Sequence, residues 1–260
     1  MDTDRMRVEV DRGIARIVLD HAPTMNAITL QMVEQIREAL PHIQQNARVL
    51  VMTGANGHFS AGVDLSPERG VGSKRTDAGY RLETHFNPLV TDLRNLTIPW
   101  ISAVPGAAAG VGCSIALSAD LIVARRSAYF LQAFRRIGLV PDGGSAFLLS
   151  RAAGRVRAME MMLLGEKIPA ERALDWGLIN RCVDDEDYDR TVDDFAERLA
   201  TGPTVALALA RRSAWAGVEA DYATSLAVER ECQAQAGDTE DFLEGVKAFR
   251  EKRRANFTGR

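Results

Sequence analysis

The sequence lacks the features that mark several classes of protein. No stretch approaches the ~18 continuous apolar residues of a membrane span, and residues 1–10 carry charges where a signal peptide has its apolar stretch. Cysteine is scarce: three residues in 260, with neither a disulfide framework nor metal-ligand spacing. We therefore expect no signal peptide, no contact with a membrane, no bound metal and a reduced, cytoplasmic setting.

Charge of either sign is not in large excess. The formal net charge is −3, so a nucleic-acid partner is not expected. With 46% hydrophobic and 26% charged residues, the composition is that of an ordinary globular protein able to bury a sizeable core.

The order of apolar runs predicts an α/β protein. From about Gly143 onward the spacing becomes helical, interrupted by one strand at Ile179–Val183. We therefore expect an α/β core over residues 1–200 and a C-terminal helical region over 201–260. Runs of strand length in the first half, the first two joined as a hairpin, are Met6–Asp11, Ile14–Leu19, Arg48–Thr53, Pro99–Val104 and Leu121–Ala124.

Three local predictions concern the connections. Thr29 is expected to cap a helix that ends at Pro41, since proline has no amide to continue it. The polar, glycine-containing segment 66–79 predicts a mobile loop or lid. The run Gly106–Gly112 predicts a tight turn between a strand and a helix.

Two loops rich in small residues could present backbone amides to an oxyanion. Gly62 lies in the first loop, after a strand, and Gly106–Gly112 follows another strand and begins a helix. One donor from each loop would form an oxyanion hole. Taken alone, each loop is more typical of a tight connection or of close helix packing than of an oxyanion hole. Because the glycines of the second loop lack the G-x-G-x-x-G spacing, dinucleotide binding is not predicted.

Taken together, these loops and other segments in the same order resemble the crotonase (enoyl-CoA hydratase/isomerase) superfamily over nearly the whole chain. The segments that carry the resemblance are Met25–Ile28, Ser60–Leu65, Pro99–Val104, Gly106–Gly112, Ala119–Ala124, Ile137–Gly144 and Ala173–Ile179.

The resemblance implies a fold, a substrate and an assembly. The fold is a core of stacked β-β-α turns forming two sheets, followed by a C-terminal helical region used in trimerisation, and homotrimers or hexamers are usual. The substrate is an acyl-CoA thioester, so coenzyme A belongs to the substrate and no separate cofactor is expected. The amides of Val63 and Val111 are implied as the oxyanion hole. Residues implied to contact the coenzyme A ester are Ala61, Val63, Asp64, Leu65 and Val111.

The departures from the family pattern concern the acid/base groups. Hydratases of the family hold a water with two glutamates, and those positions align here with Ser114 and Phe134. Neither side chain can serve as a carboxylate base, so hydration is disfavoured.

Asp142 offers a replacement base. The family's phenylacetate-pathway isomerases resemble this chain around residues 140–144 and have their catalytic aspartate at this position, and arylic CoA dehalogenases use an aspartate there as a nucleophile. Without the resemblance, Asp142 before two glycines is more typical of a helix N-cap, a role that is compatible with catalysis. As a base it needs a raised pKa, and neighbours expected to supply an apolar setting are Phe134, Leu139, Val140 and Phe147.

We therefore expect an enoyl-CoA isomerase that moves a double bond through a thioester enolate, with Asp142 as the base. The alternatives are an enoyl-CoA hydratase and a non-catalytic acyl-CoA-binding protein in which Asp142 only caps a helix. His85 is expected to be a packing or surface residue; if it reached the acyl pocket, a nucleophilic role for Asp142 would be favoured.

Overall fold

The computed structural model describes residues 2–3, 5–65 and 77–260. Most of the segment predicted to be mobile, 66–79, lies outside these residues. The strands of the described part are β1 (Asp2–Thr3), β2 (Met6–Asp11), β3 (Ile14–Leu19), β4 (Val49–Gly54), β5 (His58–Ser60), β6 (Trp100–Val104), β7 (Ala107–Ala109), β8 (Leu121–Arg125), β9 (Tyr129–Leu131), β10 (Ile168–Pro169) and β11 (Arg181–Val183).

The strands form two sheets. The larger has the order β1-β2-β3-β4-β6-β8-β11, with the predicted β2–β3 hairpin antiparallel and every pair from β3 to β11 parallel. The smaller has the order β10-β9-β7-β5.

Successive chain segments contribute one strand to each sheet. The pairs β4–β5, β6–β7 and β8–β9 each place their first strand in the larger sheet and their second in the smaller sheet, and the next chain segment after each pair contains a helix. This repetition is the stacked β-β-α core that the sequence predicts. It also brings the loops that follow β5 and β7 to the same edge of neighbouring units.

The helices occupy the connections and the C-terminal part. The α-helices of the described part are α1 (Leu30–Asn46), α2 (Ala78–Arg81), α3 (Asn87–Arg94), α4 (Val111–Leu117), α5 (Ser145–Ala152), α6 (Gly154–Leu164), α7 (Ala170–Asp175), α8 (Tyr188–Ala200), α9 (Thr204–Glu219), α10 (Tyr222–Gly237) and α11 (Glu240–Glu251). A π-helical turn, Leu82–Phe86, lies between α2 and α3.

Two local predictions are wrong. Helix α1 is capped by Thr29 as expected but continues through Pro41 to Asn46. Pro41 is exposed, so water can satisfy the carbonyl that loses its donor, while Leu40 and Ile43 remain buried in the core. The run Gly106–Gly112 is not a simple turn, because Ala107–Ala109 pairs in parallel with both β5 and β9.

The middle of the larger sheet is buried on both faces. Along β4, Leu50 and Met52 point into the main core with α1, whereas Val49 and Val51 pack against α8. Alternation of side chains along a strand therefore explains why β4 is apolar throughout.

The end of the chain folds back on the core. The Asp241 carboxylate accepts hydrogen bonds from the amides of Thr258 (2.7 Å) and Gly259 (2.8 Å), and the Asp241 amide donates to the Arg260 carbonyl (3.0 Å). Among the described residues, no helix is long and apolar enough to cross a membrane.

Candidate active site

The first small-residue loop pairs with the segment Met25–Ile28. The Ala61 amide donates to the Met25 carbonyl (2.9 Å), the Ile28 amide donates to Gly62 (2.7 Å), and the Asp64 amide donates to Ile28 (2.9 Å). Ile28 is hydrogen-bonded to the carbonyl of Gly62 and to the amide of Asp64, the residues before and after Val63. The Val63 amide therefore points away from Ile28, toward the other edge of the strand.

Asn26 holds this loop from behind. Its side chain is fully buried, accepts from the His21 amide (2.8 Å), and donates to the carbonyls of Ala55 and His58 (2.8 Å each). Three hydrogen bonds explain why a non-glycine residue is kept here at a φ of 59°.

The two loops predicted to form the oxyanion hole touch each other at their glycines. A Cβ built on Gly62 would lie 3.0 Å from the Ala109 oxygen and 3.5 Å from the Gly110 Cα, and both glycines have positive φ. Only glycine therefore allows this close approach without strain. The contact brings Val63 and Val111, each the residue after one of these glycines, to the same place.

Val111 is the first residue of α4, and Gly110 is its N-cap without a side-chain hydrogen bond. The first amide of a helix has no acceptor within the helix, so the Val111 N–H is available to a ligand. The sequence-predicted pair of amides thus lies on two adjoining loops.

Asp142 is held against the same helix by the glycine that follows it. A Cβ built on Gly143 would lie 2.8 Å from the Ser114 Cβ and 3.5 Å from the Val111 Cγ2. The backbone of the Asp142 turn therefore rests on the first turn of α4, directly beside Val111, whose amide is predicted to form part of the oxyanion hole.

The Asp142 side chain does not cap helix α5, so the capping role considered for it is wrong. The N-cap of α5 is Gly144, with no side-chain hydrogen bond, and Asp142 contributes only its main-chain carbonyl, which accepts from the Ser145 amide (3.1 Å). Its buried Oδ1 has no hydrogen-bond partner within the described residues. Burial raises the pKa of the Asp142 carboxyl to about 6.

The expected source of that burial is only partly right. Phe134 is buried, but Leu139 and Val140 are 44% and 77% exposed, because residues 135–140 run along the surface. Phe147 is also partly exposed and stacks on Trp215, with ring centroids 6.5 Å apart.

The two positions expected to carry hydratase glutamates are both buried. Ser114 lies on α4 with its Oγ 2.5 Å from the Ser145 Oγ. Phe134 lies in a short 3₁₀ helix, Ala133–Ile137. Neither position carries a carboxylate that could hold water.

The His85 ring is engaged by polar neighbours. Its Nε2 lies 3.3 Å from the Glu34 Oε1 on α1, and its Nδ1 lies 2.7 Å from the Thr84 Oγ1. Both ring nitrogens are therefore used by these contacts, which agrees with the packing role expected for His85 and gives no support to a nucleophilic role for Asp142.

The remaining residues implied to contact coenzyme A lie on the same loop. Asp64 is buried and its carboxylate pairs with Arg5 (3.0 Å), whereas Leu65 is 43% exposed at the end of the loop. Outside the omitted residues 1, 4 and 66–76, no group of His, Cys, Asp and Glu is arranged to hold a metal ion.

Sequence reasoning missed two polar residues beneath this site. Ser145 donates from its Oγ to the Asp142 carbonyl (2.9 Å) and accepts from the Gln132 Nε2 (3.1 Å). Both side chains are fully buried. A serine directly after Gly143-Gly144 and a glutamine in an otherwise apolar run were the available signals.

The stacked β-β-α units, and the two loops that meet beside Asp142, define an enzyme of the crotonase fold that acts on acyl-CoA esters. The sequence profile of the enoyl-CoA hydratase/isomerase family matches residues 9–260, and the chain belongs to that family.

Its relatives carry two kinds of name. The chain is 40% identical to the 1,2-epoxyphenylacetyl-CoA isomerase of Escherichia coli, covering 96% of this chain and 97% of that one. It is also 40% identical to a Rhodobacter capsulatus protein named "probable enoyl-CoA hydratase", covering 100% of both. The crystal structure of an enoyl-CoA hydratase from Bacillus anthracis is similar, with a TM-score of 0.91 and 27% identity over 99% of this chain and 100% of that chain.

Proposed function

We propose that the protein is an enoyl-CoA isomerase that moves a double bond from Δ3 to Δ2, or carries out the related ring-epoxide isomerisation, with Asp142 as its single base. The observation that carries the proposal is the buried Oδ1 of Asp142 beside helix α4, which has no hydrogen-bond partner among residues 2–3, 5–65 and 77–260. A carboxylate without a structural partner, and with its pKa raised to about 6, is suited to accept a proton near neutral pH.

The reaction requires stabilisation of charge on the thioester oxygen. Asp142 takes a proton from C2 of the 3-enoyl ester, and the electron pair moves to the carbonyl oxygen to give a dienolate. The amides of Val63 and Val111 donate to that oxygen, which is worth about 3 kcal/mol for each donor. Asp142 then returns the proton at C4, so the bond shifts with no net gain or loss of atoms.

A single carboxylate is better suited to isomerisation than to hydration. Hydration needs a group that holds the attacking water as well as one that moves the proton. Ser114 is buried with its hydroxyl 2.5 Å from Ser145, and Phe134 has no polar atom. Proton transfer by Asp142 alone needs neither position.

The coenzyme A part of the substrate is assigned to the loop that begins at Ala61. Ala61, Val63, Asp64 and Leu65 lie in one stretch, with Val111 beside it on α4. Coenzyme A is part of the substrate rather than a separate cofactor.

The assembly that we propose is a homotrimer, or a hexamer formed by two trimers. Apolar side chains that are exposed in the single chain, Leu226, Phe242, Leu243 and Phe249 on α10 and α11, support self-association.

The proposal is tested by an activity panel. Purified protein is incubated with 3-enoyl-CoA, 2-enoyl-CoA and aryl-CoA esters, and products are separated by chromatography. We expect conversion of the 3-enoyl esters to their conjugated isomers. The conversion is monitored by the absorbance of the 2-enoyl thioester. Absence of isomerisation across chain lengths and aromatic esters would contradict the proposal.

Hydration is the second candidate, because one relative of 40% identity carries a hydratase name. The same panel separates the two. Rapid addition of water to crotonyl-CoA would show that Ser114 and Phe134 do not prevent hydration, and would favour the hydratase.

A further inference from the structure

A pair of buried hydroxyls joins helix α4 to helix α5 and to the turn that carries Asp142. Ser114, on α4, and Ser145, the first residue of α5, have their Oγ atoms 2.5 Å apart. Ser114 and Ser145 are 0% and 1% exposed, so water does not compete for this contact.

Each serine also reaches a main-chain carbonyl of a different loop. The Ser145 Oγ donates to the Asp142 carbonyl (2.9 Å), and the Ser114 Oγ lies 3.3 Å from the Gly110 carbonyl. Gly110 directly precedes Val111. The hydroxyl pair therefore spans from the residue before one oxyanion amide to the residue that carries the base.

The proton count allows two arrangements of this pair. In the first, Ser145 donates to the Asp142 carbonyl and accepts from Ser114. In the second, Ser145 donates to Ser114, which donates to the Gly110 carbonyl. The Gln132 Nε2 donates to the Ser145 Oγ in both arrangements (3.1 Å), and in both the two helices remain linked.

We propose that Ser114 and Ser145 are positioning residues, which set the separation between the Val111 amide and the Asp142 carboxylate. This inference rests on the proposed role of Asp142 as the base. A displacement of about 1 Å between a base and its oxyanion hole can lower turnover by roughly 10²-fold. A buried hydroxyl pair that joins two loops is the kind of second contact that prevents such a displacement.

The test compares Ser114→Ala, Ser145→Ala and the double variant with Ser118→Ala. Ser118 is a matched control, since it is buried near the end of the same helix and its Oγ donates to the Ile115 carbonyl (2.8 Å), away from Asp142. Turnover of a 3-enoyl-CoA ester, its KM, its pH profile and the Tm are measured for all four.

We expect each site serine variant to lower kcat by about 10- to 100-fold with KM changed by less than about 3-fold. The kcat of the double variant should be about equal to that of the less active single variant, because either substitution alone already removes the Ser114–Ser145 hydrogen bond. The acid limb of kcat/KM should move from about pH 6 toward lower pH, since a looser turn admits water to Asp142. Ser118→Ala should lower Tm comparably and keep its kcat and pH profile.

A second readout needs no substrate. The stability difference made by Asp142→Asn at pH 8 is measured in the native and Ser145→Ala backgrounds, and it should shrink in the latter as Asp142 becomes solvated. If Ser114→Ala fails to fold, Ser145→Ala tests the same link from the other helix.

The possible failures are distinguishable. Asp142→Asn is assayed beside the serine variants. Retained isomerisation in Asp142→Asn would overturn the proposed function and this inference together. Loss of activity in Asp142→Asn, with serine variants that match Ser118→Ala in kcat and pH profile, would overturn this inference alone.

Discussion

The carboxylates of Asp241 and Asp142, each near the start of a helix, differ in their hydrogen bonds. At the start of α11, the buried Asp241 accepts hydrogen bonds from the amides of Thr258 and Gly259 and fixes the end of the chain. Before α5, Asp142 has a buried oxygen with no partner in the described residues. A carboxylate kept for structure is given donors, so the turn without donors is the one that is free for chemistry.

Burial alone does not make this distinction. Burial also raises the pKa of Asp120, yet that carboxylate accepts from the Arg211 Nε (2.5 Å) and the Trp100 amide (2.8 Å). Asp120 therefore joins α9 to the larger sheet. What marks Asp142 is a raised pKa combined with a buried Oδ1 that has no partner in the part of the chain that the structure describes.

Among substitutions that keep the Asp142 carboxylate, the largest effect on kcat is expected from Gly143→Ala, with Gly144→Ala as its matched control. Both glycines have positive φ, 58° and 82°, so both variants lose about 1 kcal/mol or slightly more to backbone strain. A Cβ at position 143 also meets the Ser114 Cβ at 2.8 Å, whereas nothing lies within 4 Å of one at 144.

Gly143→Ala must therefore move the Asp142 turn away from α4, and we expect kcat to fall by about 10²-fold or more with a further loss of roughly 1–3 kcal/mol in stability. Kinetics and chemical denaturation of the two variants check this. Equal kcat in both would show that the contact with Ser114 does not position Asp142.

Substitution by asparagine should have smaller effects on stability, with opposite signs at Asp142 and Asp241. The folded pKa of Asp142, about 6, lies above its ordinary value of 3.8. Its favourable contribution to folding is present below about pH 4 and is lost as the pH rises through 6, because the buried group must then carry a charge. Asp142→Asn should therefore stabilise the protein by about 2 kcal/mol at pH 8 and hardly at all at pH 4.

Asp241→Asn should do the reverse at neutral pH. It weakens two hydrogen bonds from backbone amides to a charged acceptor, and we expect a loss of about 1–3 kcal/mol while kcat stays unchanged. Unfolding curves at pH 4 and pH 8 measure both effects. Destabilisation by Asp142→Asn at pH 8 would mean that its carboxylate has a structural role after all.

Most of the fold could be predicted from the sequence where elements are long or strongly periodic. The hairpin Met6–Asp11 and Ile14–Leu19 was predicted to the residue. The resemblance implied a second sheet, but the sequence patterns did not locate its strands, because they have two or three residues each and too few side chains to show alternation.

The candidate site was predictable only in part, for a similar reason. Glycines point to close backbone approach, so the meeting of Gly62 with Gly110 follows from the two loops once the fold is known. The state of Asp142 does not follow, since an aspartate before Gly143-Gly144 suits a cap equally well. The contact of Ser114 with Ser145 joins residues on different helices, which no local pattern reveals.

The most direct test of the central claim is exchange of the C2 protons of a bound acyl-CoA ester in D₂O. Proton abstraction by Asp142 requires that the native protein exchange these protons, as measured by NMR. Asp142→Asn should bind the ester with unchanged affinity and slow exchange by about 10³-fold or more. Exchange at the native rate in Asp142→Asn would contradict the assignment of Asp142 as the base.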